Sequence, residues 1–262
     1  MENNLGSMIA EFSYKQGRAI VRILIGLVLA AVFIVVGVAF IADGDDYMFF
    51  TGLILFALGL GFLVWGLRAR SSKTQIFENG ITHARGSKAR AISFESIKGL
   101  TVASDEGWMS FIVGGLIGAL LFGSGSKILR LHSITGPAVD IKGRHVHKFK
   151  RVRKAAEEAY WQFVLSNLTQ ENVNTVTLML TDSVELASGA LSTSKGIIRS
   201  TAIVLPLADI VRVESQKART FRFIGKNETG AEAEIFKISV GELHNQQVFE
   251  RVLTLAGHPL NG

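Results

Sequence analysis

Between residues 142 and 154 the chain carries seven cations: Lys142, Arg144, Lys148, Lys150, Arg151, Arg153 and Lys154. His145 and His147 lie among them. Charge of one sign at this spacing serves anion binding rather than bond making. The run straddles the start of a helix read from about Lys150 to Leu168, with Val152, Ala156, Ala159, Phe163 and Val164 on its buried face. A helix N-terminus disfavours positive charge by ~0.3–1 kcal/mol, and a bound anion would offset that cost. At a cytoplasmic membrane face the nearest anions are lipid headgroups, and each Lys or Arg near an anionic leaflet contributes about 1 kcal/mol. The competing readings are a solvated face with no ligand and an acidic protein partner. Nucleic acid suits the charge, but the sequence has no helix-turn-helix, zinc-finger or RNA-binding aromatic signature.

Little else in the sequence suggests chemistry. His145-x-His147 would place two imidazoles on one face of a strand, with no evident third metal ligand. The chain has no cysteine, which excludes disulfides, thiolate metal sites and cysteine nucleophiles. Gly123-Ser124-Gly125-Ser126-Lys127 lacks the Gly-Lys-Ser/Thr ending of a phosphate loop. Neither a Gly-x-Ser-x-Gly elbow nor a His-Glu-x-x-His pair occurs. The reading is therefore non-enzymatic, with no catalytic residue, metal or cofactor. Asn167-Leu168-Thr169 and Asn227-Glu228-Thr229 match glycosylation acceptors, but both fall in a region read as cytoplasmic.

The elements that would position the basic run begin with two apolar stretches. The 262 residues are 48% hydrophobic and 19% charged, with a mean hydropathy of +0.33, too apolar for a disordered chain. Ile23 to Ala42 and Tyr47 to Leu67 carry no charge, and each as a helix is long enough to cross a hydrocarbon core of ~30 Å. A cleaved signal peptide fits the first stretch less well, because its apolar run exceeds the usual ~7–15 residues. Arg18 and Arg22 flank the first stretch, and Arg68, Arg70 and Lys73 follow the second. The connector Asp43-Gly44-Asp45-Asp46 is acidic. Lys and Arg stay on the cytoplasmic side. The expectation is a multi-pass protein of the plasma (bacterial inner) membrane with both termini cytoplasmic. Residues 1–70 would form a two-helix transmembrane anchor with spans at about 23–42 and 47–67. Gly52, Gly59 and Gly66 are seven apart, as are Ala30 and Gly37. Such small residues allow close helix approach, within one hairpin or between protomers.

After Lys73 the pattern becomes short strands with turn signals. Thr74–Phe77, Ile81–Ala84, Ala89–Phe94, Leu100–Ala103, Ile128–Ile134, Ala138–Ile141 and His145–Phe149 read as strands, with Asn79-Gly80 as a hairpin turn of positive φ. The second half repeats the order: Val176–Leu180, Val184–Ala187, Ile197–Leu205, Ile210–Glu214, Phe221–Ile224 and Glu234–Val240, then a helix from about Glu242 to Ala256. Phe77-Glu78-Asn79-Gly80-Ile81 matches Ser194-Lys195-Gly196-Ile197 in placing a turn Gly before Ile. Phe94-Glu95-Ser96-Ile97, then Leu100 and Val102, matches Leu207-Ala208-Asp209-Ile210, then Val213. Two related units follow, residues 71–170 and 171–262, joined near Thr169 to Asn174. This order resembles bacterial pleckstrin-homology-like (bPH-like) membrane proteins. The resemblance implies a membrane α-helical hairpin plus a cytoplasmic α+β region. That region would hold two tandem PH-like β-barrel or sheet units, each closed by a C-terminal helix. It implies a binding or scaffolding module and brings no catalytic residues.

One segment departs from that pattern. Residues 107–126 are uncharged and Gly-rich, and interrupt the first unit. Gly115, Ala119 and Gly123 recur every four residues, with Gly114 and Gly118 as a second small pair beside the bulk of Trp108 and Phe111. The segment reads as a buried element, as a membrane-dipping or self-associating one, or as a third span that would place Lys127 and Arg130 on the wrong side. The functional expectation is a membrane-anchored binding or scaffold protein. It would recognise anionic lipid headgroups or a protein partner at the cytoplasmic leaflet, and form a homo-oligomer. The alternative is an oligomeric transport or pore component built from the Gly-rich apolar segments. Against it, neither span contains the internal charge that marks an ion path.

Overall fold

Two long apolar helices interrupt a β-hairpin. In the computed structural model, which describes residues 5–14, 16–43, 46–104, 127–143, 146–193, 203–216, 219–226 and 229–260, strand β1 (Met8–Ser13) runs straight into α1 (Gln16–Asp43). Helix α2 (Asp46–Arg70) returns the chain to β2 (Lys73–Phe77). β1 and β2 then pair antiparallel, with Glu11 opposite Gln75 and Phe12 opposite Thr74. The Tyr14 N–H donates to the Ser72 carbonyl at 3.0 Å and closes the base of the helix pair.

Small residues let α1 and α2 touch backbone to backbone. A Cβ on Gly59 would lie 3.0 Å from the Gly26 carbonyl and 3.1 Å from the Ala30 nitrogen. One on Gly66 would lie 2.8 Å from Ile23 Cγ1, and one on Gly52 would lie 2.8 Å from the Phe33 ring. The glycines seven apart thus face α1, and their contact is within the chain.

β2, β3 (Gly80–Arg85) and β4 (Lys88–Ser93) form a meander that completes a four-stranded sheet ordered β1-β2-β3-β4. Asn79 and Gly80 do not take the positive φ that the Asn-Gly pair led us to expect. Glycine is needed there for space instead, since a Cβ would run into the Ile92 carbonyl and Leu5. A second sheet holds β5 (Ile97–Ser104), β6 (Lys127–Ser133) and β7 (Val139–Lys142). Helix α3 (Phe149–Asn167) then buries Val152, Ala156, Ala159, Tyr160 and Val164. The Tyr160 hydroxyl donates to the Ile97 carbonyl at 3.2 Å, and burial pushes this phenol above its ordinary range. Strand β8 (Leu178–Met179), β9 (Val184–Ala187), β10 (Ala190–Thr193) and β11 (Val204–Pro206) make another four-stranded sheet. β12 (Ile210–Gln216), β13 (Thr220–Lys226) and β14 (Glu232–Ser239) make the fourth sheet. Helix α4 (Gln246–Leu255) ends the order, with Asn245 Oδ1 capping the Val248 N–H at 3.0 Å.

This architecture corrects the expected membrane hairpin with two tandem PH-like barrel units. The protein is mixed α/β, its strands are divided among four small antiparallel sheets, and the described residues close no barrel. The sheets change at two one-turn 3-10 helices, Phe94–Ser96 between β4 and β5 and Leu207–Asp209 between β11 and β12. In each, the next residue's N–H bonds locally, Ile97 to the Phe94 carbonyl and Ile210 to the Leu207 carbonyl. The chain turns there out of one sheet and into the next. One apolar cluster extends across both halves, from Ile76, Phe94 and Leu129 through Tyr160 to Phe223, Phe249 and Leu253. Only one helix among the described residues, Gly52–Arg70, meets the length and hydropathy needed to cross a membrane. α1 offers a shorter apolar stretch, Ala19–Val35, and Arg22 falls inside it.

Three local readings also change. The stretch read as a strand at His145–Phe149 is a turn over its described residues, and Phe149 opens α3. β1 and β10 were not read from the sequence at all. Residues 197–202, part of another expected strand, lie outside the described residues.

Candidate functional site

The basic run is not one continuous surface. Lys142 ends β7 half-buried, beside Asp140. Gly143 has to be glycine, because a Cβ would lie 2.7 Å from the Lys127 carbonyl. Val146 is buried and pins the turn to the core. The His147 N–H then donates to the Ser13 carbonyl at 3.0 Å, tying this turn to the junction of β1 and α1. Lys148 adopts a left-handed conformation at φ 57°, ψ 50° and stands at the start of α3 without a side-chain cap. A non-glycine residue held this way costs on the order of 1–3 kcal/mol, so the surrounding contacts must dictate it.

Beyond that turn the cations divide. Lys148, Lys150 and Arg151 are exposed and have no ion-pair partner among the described residues. Arg153 pairs with Glu157 at 2.7 Å and Lys154 with Glu158 at 3.5 Å, each one helical turn on. These two point their charge at their own helix. Arg144 lies outside the described residues, as do Trp108, Phe111, Gly114, Gly115, Gly118, Ala119 and Gly123 of the Gly-rich segment.

Cations missing from the original run stand at the same end of the helix pair. Arg68 and Arg70 are exposed in the last turn of α2, where the helix dipole favours them. The Ser71 hydroxyl donates to the Arg68 carbonyl at 3.0 Å and accepts the Gly86 N–H at 3.0 Å. That pair of bonds docks the β3–β4 turn, with exposed Lys88, onto the end of α2. Arg22 is buried beneath, its guanidinium 3.8 Å over the Trp65 ring and 5.7 Å from the Tyr14 ring. Lys73 is engaged by Glu11 at 2.9 Å, and donation from Lys73 and Gln75 holds the Glu11 carboxyl below the usual range. A collar of exposed cations (Arg68, Arg70, Lys88, Lys148, Lys150 and Arg151) therefore surrounds the base of the helices. Its α2 members, Arg68 and Arg70, were legible only as charges flanking the second apolar stretch, and Lys88 was not singled out in the sequence.

Above the collar the outward surface of both helices is apolar. Ile20, Leu24, Leu27 and Val28 on α1, and Ile54, Leu58 and Leu67 on α2, are all more than a third exposed. Exposed apolar side chains grouped in this way suit an apolar environment better than water.

A cleft of about 880 Å³ opens between α3 and the segment before α4, lined in part by Arg153, Glu157, Trp161, Asp182 and His244. His244 Nε2 stands 3.4 Å from Asp182 Oδ1, in ion-pair range but without hydrogen-bond geometry. The neighbouring Ser183 hydroxyl is occupied with Thr181 at 3.3 Å. Among the described residues no engaged nucleophile stands beside this pair. The described residues hold no group of three His, Cys, Asp or Glu suited to a metal ion.

No family model matches the chain, and no curated protein matches it. Among solved structures it has a distant likeness to the Spt16D Pob3N heterodimer, at 10% identity, covering 64% of this chain and 88% of that one. The TM-score is 0.21, too low to carry an argument about fold or function.

Proposed function

We propose that this chain is a non-enzymatic binding protein held at a membrane surface, where its basic collar takes anionic lipid headgroups. The observation that carries the reading is the grouping of unpaired Lys148, Lys150 and Arg151 with Arg68, Arg70 and Lys88 at one end of an apolar helix surface. With the apolar side chains in lipid, those cations fall at headgroup depth. Each then contributes about 1 kcal/mol toward an anionic leaflet. The pore alternative draws no support from α1 and α2, because Gly52, Gly59 and Gly66 are used up within the pair.

The test titrates phosphatidylglycerol into the full chain in neutral detergent and counts bound lipid by native mass spectrometry. Replacing Lys148, Lys150 and Arg151 with Gln removes about 3 kcal/mol of attraction at most, so affinity should fall measurably at low salt, by up to about 150-fold. The difference should shrink as salt shortens the screening length. Equal binding by the triple variant and the native chain at low salt would sink the proposal.

A further inference from the structure

The two halves of the chain meet along a seam with an unusual charge content. β5 approaches β8 so closely that a Cβ on Gly99 would lie 2.7 Å from Met179 Cβ. Lys98 on β5 reaches Glu185 on β9 at 2.7 Å, a half-buried pair joining the halves. His132 on β6 is held by the Thr101 hydroxyl at 2.8 Å. His244, on the segment before α4, donates its backbone N–H to the Leu180 carbonyl at 2.8 Å. His132 stands opposite Gly99 in the β5–β6 ladder, at the strand position that meets Met179, and His244 Nε2 stands 3.4 Å from Asp182 Oδ1 in the β8–β9 turn.

We propose that this seam is a proton-operated latch: protonation of His132 and His244 loosens the β8–β9 hairpin and the segment before α4 from β5–β6, and widens the cleft beside them. It is independent of the lipid proposal. The groups facing His132 among the described residues are Arg130 on its own strand, Lys98 on β5, His244, and Asp182 in the β8–β9 turn. Asp182 alone of these attracts its positive charge. Asp182 and Glu157 on α3 face His244 and favour its charged form. Both attractions are weak. Asp182 is 85% exposed, and Glu157 is already paired with Arg153. Burial is the larger influence on both rings and holds each below the ordinary histidine value. The sign follows. A histidine lowered in the folded state adds stability that is present above its unfolded value of about 6.5 and is lost as pH falls through the folded value. Opening therefore takes up protons.

Hydrogen exchange of the full chain in detergent tests this, with rates corrected for intrinsic pH dependence, at pH values from about 7.5 to 5. Amides of residues 178–187 and 243–249 should exchange faster below about pH 6.5, by up to tenfold per pH unit for each proton taken up. Amides of β13 should not. The double variant His132→Gln, His244→Gln should lose the acid step while matching the native chain at pH 7.5. A step that persists in the double variant overturns the latch, as does one shared equally by β13. If the double variant fails to fold, the native profile decides. A step confined to the seam peptides supports the latch, and an absent or uniform step overturns it.

Discussion

The contact between Gly26 and Gly59 allows a quantitative test of how α1 and α2 are held. A Cβ placed on Gly26 would stand 2.7 Å from the Gly59 carbonyl oxygen, 2.8 Å from the Leu63 nitrogen and 3.1 Å from Leu63 Cβ. Two of these obstacles are backbone and cannot rotate away. Gly26→Ala therefore has to push the helices about 0.7 Å apart before the contact becomes ordinary, and a gap of that size forfeits about a quarter to a half of each dispersion contact it opens. Overpacking of this kind costs about 1–3 kcal/mol. Alanine returns about 1 kcal/mol through helix propensity, leaving a net loss of up to about 2 kcal/mol. Gly61 supplies the control. It sits on the same helix pair with nothing within 4 Å of its Cβ position, so Gly61→Ala should be neutral or stabilising by up to about 1 kcal/mol. The chain has no cysteine, so labels introduced at exposed Val28 and Leu58 report the pair alone. The assay is thermal unfolding in detergent followed by the label-to-label distance. Gly26→Ala should lower the midpoint and lengthen the distance, and Gly61→Ala should do neither. Equal midpoints for the two variants would refute the reasoning, because they differ only in what their methyl groups meet.

Two further outcomes follow from single contacts. Asn245→Ala removes the acceptor for the Val248 N–H at the start of α4 and should cost about 1 kcal/mol in thermal denaturation, with Asn245→Ser restoring most of it. Gly99→Ala drives a methyl into Met179 and should cost about 1–3 kcal/mol. The second change Met179→Ala should recover part of that loss, and strictly additive costs in the double-mutant cycle would disprove direct contact across the seam.

What could be read from the sequence follows the range of the interaction concerned. The α3 face was legible because Val152, Ala156, Ala159 and Val164 recur at helical spacing, and all four are buried. β2, β3, β12, β13 and β14 were legible from alternation and their turns. β1 was not, because its partner β2 follows only after both helices, and a short strand without a local partner leaves little pattern. β10 was missed although Ser188-Gly189 signals a tight turn, with φ of 52° and 70°. At His145–Phe149 the alternation of apolar and polar residues suggested a strand. A tertiary bond, His147 N–H to the Ser13 carbonyl, and the left-handed Lys148 impose a turn instead. Closure of barrels was expected from the resemblance to bPH-like proteins, and short matching motifs say nothing about the one-turn helices at Phe94–Ser96 and Leu207–Asp209 where one sheet gives way to the next. The basic run was visible as composition. Its division into free Lys148, Lys150 and Arg151 and paired Arg153 and Lys154 needed the helix register and the positions of Glu157 and Glu158. His132 and His244 stand more than a hundred residues apart, so no spacing rule could join them.

The insertion of α1 and α2 into a β-hairpin gives the helix pair and the collar one mechanical frame. The Glu78 and Asn79 N–H groups bond the Ser7 and Leu5 carbonyls, and β1 covers the edge of β2. The His147 bond to Ser13 then fastens the start of α3 to the same strand. Cutting the chain before β2 would remove the helices together with β1, expose the β2 edge and free the turn that holds Lys148. The cation arrangement would be lost with the apolar surface, although none of its α3 members had been touched. The collar is thus a property of the intact chain. Its charges are placed by backbone bonds to a strand that belongs, in sequence, to the other side of the helices. This is also why charge substitutions that leave β1 and the Ser13 carbonyl in place separate electrostatics from folding better than any truncation.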